Sequence, residues 1–224
     1  MKQMISVVIP AYNEADTIKM TLVTLNRCNW VDQLIVVDDG SSDETAIVAK
    51  KYCDEVIELP QNSGKAAALQ EGWKHVRGDI MVCLDADLGM TAREGERLVE
   101  KLNLGDHDCV IARLPIQKKS GFGFMRHRAQ KLIFSRTGKW FEAPLSGQRA
   151  LKKKWLSVLL DKDYHGFGVE MAMTVDLLKE GADVVEIEVS FFHRATGKNI
   201  QGFIHRGKQW LDMEKTLRRM RMTW

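Results

Sequence analysis

The sequence predicts an α/β domain whose mostly parallel sheet is flanked by helices. Short β-branched segments alternate with amphipathic segments through the first 112 residues, which is typical of parallel strands joined by crossover helices. A polar cluster follows each of the first four predicted strands. Because ligands of such sheets bind beyond the carboxyl ends of the strands, we expect a binding site at this edge.

Apolar spacing and turn residues define the predicted elements. Pro10 ends the first strand, and Asp-, Gly- and Ser-containing turns follow later ones. After residue 112 the alternation stops. Strands are predicted over residues 5–9, 34–37, 55–59, 79–84, 108–112 and 183–189. Helices are predicted over residues 13–26, 43–52, 63–76, 92–102 and 168–179, with partial helix over 117–139 and a turn leading into a helix over 145–154.

Composition indicates one globular domain of 224 residues, 45% of them hydrophobic. No apolar run reaches the length of a membrane-spanning helix, and the apolar start lacks a signal-peptide cleavage site. The four cysteines contain no CxxC pair, so we expect free thiols in a reducing cytoplasm. They are Cys28, Cys53, Cys83 and Cys109.

Positive charge is concentrated in the second half. Between Cys109 and Leu160 the sequence contains twelve Lys and Arg residues and one acidic residue, Glu142, whereas the net charge of the whole chain is +3. Aromatic residues are interleaved with the cations of residues 118–139, and residues 200–224 form a basic amphipathic tail. Both segments fit an anionic membrane surface. The alternatives are a solvated basic face, helices that cover the core, and self-association. No nucleic-acid-binding motif is present.

Asp85-Ala86-Asp87 is the strongest local signal for a metal site. It directly follows the apolar segment 80–84. Two carboxylates one residue apart at a strand end suit Mg²⁺ or Mn²⁺, which prefer oxygen ligands and bridge phosphates. The alternative is a solvated turn, in which Asp is common.

Two further clusters suit a nucleotide. Asp39 follows a strand, and its carboxylate suits a base N–H or a ribose hydroxyl, although the same turn also suits a helix cap. Gly64 and Lys65 open a predicted helix, whose N-terminus with a lysine suits a diphosphate. The spacing is not that of a P-loop.

Together these motifs resemble the family 2 glycosyltransferases. The resemblance is carried by VVIPAYNE at residues 7–14, VVDDGSSD at 36–43, Asn62-x-Gly64-Lys65 and LDAD at 84–87. It implies a GT-A fold and a nucleotide-sugar donor. It also implies that the nucleoside, diphosphate and metal contacts come from the motif residues Pro10, Ala11, Tyr12, Glu14, Asp39, Gly64, Lys65, Asp85, Ala86 and Asp87.

The second half resembles polyprenyl-phosphate glycosyltransferases and glucosyl-3-phosphoglycerate synthases. LSGQRA at residues 145–150 and GFGVE at 166–170 carry this resemblance. Residues 146–148 suit a sugar or an acceptor phosphate, and Arg149 suits a bidentate phosphate contact or an internal salt bridge. Glu170 is either a catalytic base or a carboxylate in the first turn of a helix.

Three residues near the end of this half complete the expected site. His193 resembles a histidine that completes the metal sphere in glucosyl-3-phosphoglycerate-type enzymes, and Arg194 and Lys198 are expected to contact the diphosphate. We therefore expect a GT-A domain over residues 1–199, with a nucleotide-sugar half (1–112) and an acceptor half (113–199), followed by the tail (200–224).

The predicted activity is metal-dependent transfer of a sugar from a UDP-sugar, UDP-glucose-like, to a phosphate-bearing or membrane-associated acceptor such as polyprenyl phosphate. The expected location is cytoplasmic or peripheral on the cytoplasmic membrane face. Alternatives are a small soluble phospho-acid acceptor and a non-catalytic nucleotide-sugar-binding adaptor. A nucleotidyltransferase would place a Gly-rich basic loop after the first strand, where this chain has Pro-Ala-Tyr-Asn-Glu.

Overall fold

A computed structural model describes residues 2–115, 123–164, 166 and 168–192. Within them, seven strands form one sheet in the order β3-β2-β1-β4-β6-β5-β7. The strands are β1 (Ile5–Ala11), β2 (Gln33–Asp38), β3 (Glu55–Glu58), β4 (Ile80–Cys83), β5 (Cys109–Arg113), β6 (Arg149–Lys152) and β7 (Val184–Glu188). The helices are α1 (Ala15–Leu25), α2 (Thr45–Ala49), α3 (Lys65–Lys74), α4 (Glu96–Leu104), α5 (Gly123–Thr137), α6 (Leu156–Leu160) and α7 (Val169–Lys179), with 3₁₀ turns at Gly89–Gly95 and Lys153–Trp155.

The first four strands confirm the predicted parallel arrangement. β1 pairs in parallel with β2 and β4, and β2 pairs in parallel with β3. Their carboxyl ends therefore lie at one edge of the sheet, where the four polar clusters were expected. The predicted α/β class, a mostly parallel sheet flanked by helices, is confirmed.

The prediction for residues 145–154 was wrong in one respect. Residues Arg149–Lys152 form strand β6, where a turn leading into a helix was expected. β6 lies between β4 and β5 and is antiparallel to both. Four residues with two cations carry little intrinsic strand signal, so the pairing with two buried neighbours decides the conformation. The short helix α6 follows only after a 3₁₀ turn.

Apolar side chains fill both faces of the sheet, as the near-continuous apolar strands require. Alternate residues of β4 point to opposite faces: Met81 and Cys83 join one core cluster, and Ile80 and Val82 join the other. Helices α3, α5, α6 and α7 cover the first face, and α1, α2 and α4 cover the second.

Helix α5 confirms the predicted partial helix and divides the basic segment into two faces. Met125, Leu132 and Ile133 are buried in the core, whereas Phe124 and Phe134 are exposed. The alternative of a helix covering the core therefore holds for the inner face. Among the described residues, no helix is both long and apolar enough to cross a membrane. The tail 200–224 lies outside the described residues.

Candidate active site

The four polar clusters meet at the carboxyl edge of the parallel strands and contact one another in a row. Asn13 accepts a hydrogen bond from the Ser42 N–H (2.9 Å) and donates its own N–H to Ser41 Oγ (2.9 Å). Asp39 accepts the Ser63 N–H, which links the second cluster to the third. Lys65 then reaches Asp85, the first carboxylate of the fourth cluster. Clusters far apart in sequence thus form one site.

Asp39 holds the loop that opens α3. Its two carboxylate oxygens accept the backbone N–H groups of Ser63 (2.7 Å) and Gly64 (2.8 Å). The side chain is 3% exposed. Burial raises its pKa, although the two N–H donors act in the opposite direction. Asp39 therefore fixes the start of the helix that carries Lys65, and its expected nucleoside contact remains a prediction.

Lys65 lies between two carboxylates at the centre of the site. Its Nζ is 2.8 Å from Asp85 Oδ1 and 2.9 Å from Glu170 Oε1. Burial alone would lower the pKa of Lys65, but the carboxylates of Asp85 and Glu170 outweigh it and raise the pKa above its ordinary value. Lys65 is therefore a fixed cation that joins the start of α3, the end of β4 and the first turn of α7.

A side chain at position 147 would displace the Lys65 ammonium. A Cβ atom there would lie 2.6 Å from Lys65 Nζ and 3.0 Å from Asp85 Oδ1. The neighbouring Gln148 is buried and donates its amide to the other oxygen of Asp85. The loop before β6 therefore packs directly against the Lys65–Asp85 pair. Sequence reasoning assigned residues 146–148 to the sugar or acceptor and missed the bond from Gln148 to Asp85.

Thr21 is a second residue that sequence reasoning missed. Its hydroxyl donates to the Ala86 carbonyl (2.7 Å) and accepts the Gly89 N–H (2.8 Å). Thr21 is fully buried on α1 between apolar neighbours. A polar residue within an apolar helix stripe is the signal that could have identified it. Through it, α1 supports the loop that carries Asp85 and Asp87.

Three carboxylates share the region where the metal is expected. Burial raises the pKa of Glu14, the hydroxyl of Thr17 lowers it, and the negative charges of Asp87 and Asp85 raise it further. Glu14 follows β1 and the two aspartates follow its parallel neighbour β4, so the three carboxylates lie beyond the ends of adjacent strands. The described residues nevertheless include no group of three or more His, Cys, Asp or Glu side chains arranged to hold a metal. Mg²⁺ commonly uses only one or two carboxylates together with substrate phosphates and water, so Asp85 and Asp87 fit such an ion.

Arg149 lies inside the protein, where it is 1% exposed. Its guanidinium donates to the carbonyl oxygens of Ser146 and Glu170 (3.1 Å for Glu170) and to the hydroxyl of Thr174 (3.4 Å). These contacts match the internal alternative, although the acceptors are neutral oxygens and not the carboxylate of a salt bridge. Arg149 thus connects the 146–148 loop to α7, and both of these segments contact Lys65.

The other predicted donor-site residues among the described residues lie in or next to β1, after β4 and at the start of α3. Tyr12 is exposed at the end of β1, next to the buried Ala11. Gly64 has a positive φ of 91° and caps α3, and Ala86 is buried between the two aspartates. Pro10 lies within β1. The predicted metal ligand His193 and the predicted diphosphate contacts Arg194 and Lys198 lie outside the described residues.

The solved structures most relevant to this geometry bind a nucleotide and a metal. Glucosyl-3-phosphoglycerate synthase from Mycobacterium tuberculosis, in complex with Mn²⁺, UDP and phosphoglyceric acid, superposes with a TM-score of 0.73 at 27% identity. The match covers 91% of this chain and 75% of the synthase. The same synthase is similar in a complex with Mg²⁺ and UDP, with a TM-score of 0.74. The GT-A fold is therefore shared.

Sequence relatives include lipid-linked sugar transferases. The undecaprenyl-phosphate 4-deoxy-4-formamido-L-arabinose transferase of Edwardsiella ictaluri is 34% identical over 141 residues, which are 58% of this chain and 42% of that protein. Glycosyltransferase AglJ of Haloferax volcanii is 27% identical over 202 residues, 87% of this chain and 65% of that protein. The chain thus matches about two fifths of the length of the Edwardsiella relative. The sequence profile of glycosyl transferase family 2 matches residues 6–171, and the chain belongs to this family.

Proposed function

We propose that the protein transfers a sugar from a UDP-sugar to polyprenyl phosphate and that the reaction needs Mg²⁺ or Mn²⁺. The observation that carries this proposal is the pairing of Lys65 with Asp85, the first carboxylate of Asp85-Ala86-Asp87, at the carboxyl edge of the sheet. The name of the Edwardsiella relative supports a polyprenyl-phosphate acceptor. The Mn²⁺ and UDP in the mycobacterial synthase support the donor and the metal.

The donor would lie across the ends of β1, β2 and β4. The proposed nucleoside contacts come from the first two clusters, and the proposed diphosphate contacts come from the start of α3 and from the segment after β7. The nucleoside residues are Pro10, Ala11, Tyr12, Glu14 and Asp39. The diphosphate residues are Gly64, Lys65, Arg194 and Lys198, with Ala86 between the metal ligands Asp85 and Asp87 and with His193 as a third ligand.

In this proposal the residues of the site orient Asp85 and Asp87, and the bound cation stabilises negative charge on the diphosphate. A bound divalent cation supplies positive charge that offsets the charge developing on the departing diphosphate. Gln148 and Lys65 hold the two oxygens of Asp85 in place, and Thr21 holds the loop that carries Asp87. Such fixed groups need little reorganisation during the reaction.

Glu170 has a positioning role in this proposal. A phosphate acceptor is already an anion at neutral pH, so its attack on the sugar carbon needs no strong general base. The Glu170 carboxylate is buried and paired with Lys65 at 2.9 Å. It therefore fixes the Lys65 ammonium beside Asp85. With a hydroxyl acceptor, Glu170 would be the first candidate for the base.

A small soluble phospho-acid is the second candidate acceptor. It is favoured by the similarity to the mycobacterial synthase, whose structure contains phosphoglyceric acid. Both candidates offer a phosphate to the same basic half of the protein. They differ in location, because polyprenyl phosphate places the protein at the cytoplasmic membrane face as a peripheral protein.

A transfer assay tests the proposal. Purified protein would be incubated with labelled UDP-sugars and either undecaprenyl phosphate in detergent or 3-phosphoglycerate, with Mn²⁺ or with EDTA. We expect Mn²⁺-dependent labelling of the lipid and loss of at least about 100-fold in rate for Asp87→Asn. Labelling of phosphoglycerate alone would favour the second acceptor, and no transfer to either from any UDP-sugar would contradict the proposal.

A further inference from the structure

The outer face of α5 carries exposed aromatic rings that the proposed reaction does not use. Phe124 and Phe134 are 65% and 52% exposed, and Trp140, which follows the helix, is 47% exposed. Trp140 packs on Phe134 and on His127, with ring centroids 6.2 Å apart in each pair. Large apolar groups clustered in solvent mark a contact site more often than a random surface.

Helix α5 is itself cationic and contains no acid. Helix α5 carries Arg126, Arg128, Lys131 and Arg136 and has neither Asp nor Glu. Arg128 stacks over Phe124 at 5.7 Å from the ring centroid, and Lys139 is exposed beside Trp140. Aromatic and basic side chains on one helix face are the composition of helices that lie in the headgroup region of anionic membranes.

A cavity continues this surface toward β7. Its volume is about 420 Å³, and Trp140 and Lys139 line it together with Arg113 and Glu186. The Glu186 carboxylate accepts the backbone N–H groups of Glu142 and Ala143, which fixes the chain just after Trp140. Arg113 pairs with Glu188 at 3.6 Å. The cavity thus places Lys139 beside the aromatic cluster, whereas Arg113 is paired with Glu188 and the Glu186 carboxylate is bonded to the backbone.

The surface leads directly to the candidate active site. Gln148, which holds Asp85, follows Trp140 by only eight positions in the chain. Position 147 packs against Lys65 in the same stretch. A lipid surface at Trp140 would therefore lie a short loop away from the groups proposed to act on the sugar donor.

We infer that Phe124, Arg128, Lys131, Phe134, Lys139 and Trp140 form a membrane-docking surface for anionic phospholipid. The aromatic rings enter the headgroup region, and the cations contact lipid phosphates. The occupant is a bilayer and not a protein, because the exposed rings are combined here with cations on a helix that has no acid. The inference deepens the proposed function, since it places the active-site loop at the membrane that holds a polyprenyl phosphate.

Vesicle co-sedimentation of the full chain tests this surface. Vesicles of phosphatidylcholine would be compared with vesicles that also contain phosphatidylglycerol. We expect binding only to the anionic vesicles and a reduction of at least about tenfold for the double variant Phe134→Ala/Trp140→Ala. The matched control Ile47→Ala/Leu104→Ala removes two apolar side chains of the opposite layer that are even more exposed, at 56% and 88%, and should bind as the wild type does.

Charge is tested separately. Lys131→Glu should weaken binding to the anionic vesicles by at least about fivefold, whereas Lys51→Glu, an exposed lysine next to α2, should have little effect. Equal binding of the double variant and its control, or no binding of the wild type to anionic vesicles, would overturn the inference. Calorimetry with UDP and Mn²⁺ on the same variants separates the two proposals, because vesicle binding without UDP binding would support docking and contradict the proposed function.

Discussion

At the scale of single residues, the space around Asp85 is the tightest constraint in the site. One carboxylate oxygen meets Lys65 and the other meets Gln148. The backbone at position 147 passes close to both partners, and a single added carbon would contact the Lys65 ammonium. Small displacements of such groups are costly, since catalysis depends on near-ideal placement of charge.

The substitution Gly147→Ala should therefore lower the rate of sugar transfer by about 10- to 100-fold with little loss of stability. The new methyl group would push Lys65 away from Asp85. Steady-state transfer assays together with thermal unfolding would measure both effects. Gly123→Ala is the matched control, because a Cβ there meets no atom within 4 Å. Unchanged transfer by Gly147→Ala would mean that the Lys65–Asp85 contact is irrelevant to activity.

Residue-scale roles were only partly predictable from sequence. The aspartates, Lys65 and Gly64 were identified because they follow predicted strands. Thr21 and Gln148 were missed because their partners, Ala86 and Asp85, lie 65 and 63 positions away. No local sequence pattern predicts a hydrogen bond between residues so far apart in the chain. Arg149 was recognised as important, but its burial depends on packing against α7 and could not be deduced.

At the scale of elements, two helices support the site from opposite faces of the sheet. Helix α1 holds the Asp85–Asp87 loop through Thr21. Helix α7 supplies Glu170 and accepts the guanidinium of Arg149. Each helix thus supports residues of the candidate site that belong to other elements.

Replacing Thr21 by Val should weaken UDP binding in the presence of Mn²⁺ by about tenfold or more. Valine keeps the shape of the side chain but cannot bond the Ala86 carbonyl or the Gly89 N–H, so the loop proposed to bind the metal loses its support. Isothermal titration calorimetry would measure the affinity. Thr24→Val, one turn along the same helix, where the hydroxyl donates to the Met20 carbonyl of that helix, should bind UDP normally. Equal affinities for both variants would refute the role of α1.

Arg149→Met distinguishes an internal role from a phosphate contact. We expect the free energy of unfolding in urea to fall by about 2–4 kcal/mol, because three buried oxygens lose a charged donor. If Arg149 instead bound the acceptor, the variant would keep its stability and show only a raised KM for the acceptor. That second pattern would contradict the role drawn from the structure.

At the scale of the whole molecule, one sheet joins the two predicted halves. β4 from the first half pairs with β6 from the second, and β6 pairs with β5. The parallel part could be predicted, since each strand and its following cluster repeat one pattern. The insertion of antiparallel β6 could not be predicted, because its local sequence favours no strand. Its pairing with β4 joins segments about 70 residues apart in the chain.

Asp108 joins β5, β6 and β7 and makes the stability of the fold depend on pH. Its carboxylate accepts the Asp183 N–H (3.0 Å) and pairs with Lys154 (2.7 Å). Burial would raise its pKa, but these partners lower it to about 2 from the ordinary 3.8. A lowered pKa in the folded state adds stability above pH 3.8, and this stability is lost as pH falls through the folded-state pKa.

The variant Asp108→Asn should therefore lower the free energy of unfolding by about 2 kcal/mol at neutral pH. The difference from wild type should shrink as the pH falls below 3.8 and vanish near 2. Urea unfolding across this range would measure it. Asp106→Asn removes a nearby exposed carboxylate that pairs with Lys152 and should change stability much less. A difference that stays constant with pH would show that the charge of Asp108 is not responsible.

The most direct test of the central claim is calorimetric titration of UDP and GDP into the full chain, with and without Mn²⁺, for wild type and Asp87→Ala. We predict that UDP binds the wild type only when Mn²⁺ is present, that GDP binds more weakly, and that Asp87→Ala binds neither. Failure of UDP to bind in the presence of Mn²⁺, or equal binding by wild type and Asp87→Ala, would contradict a metal-dependent UDP-sugar site at the carboxyl edge of the sheet.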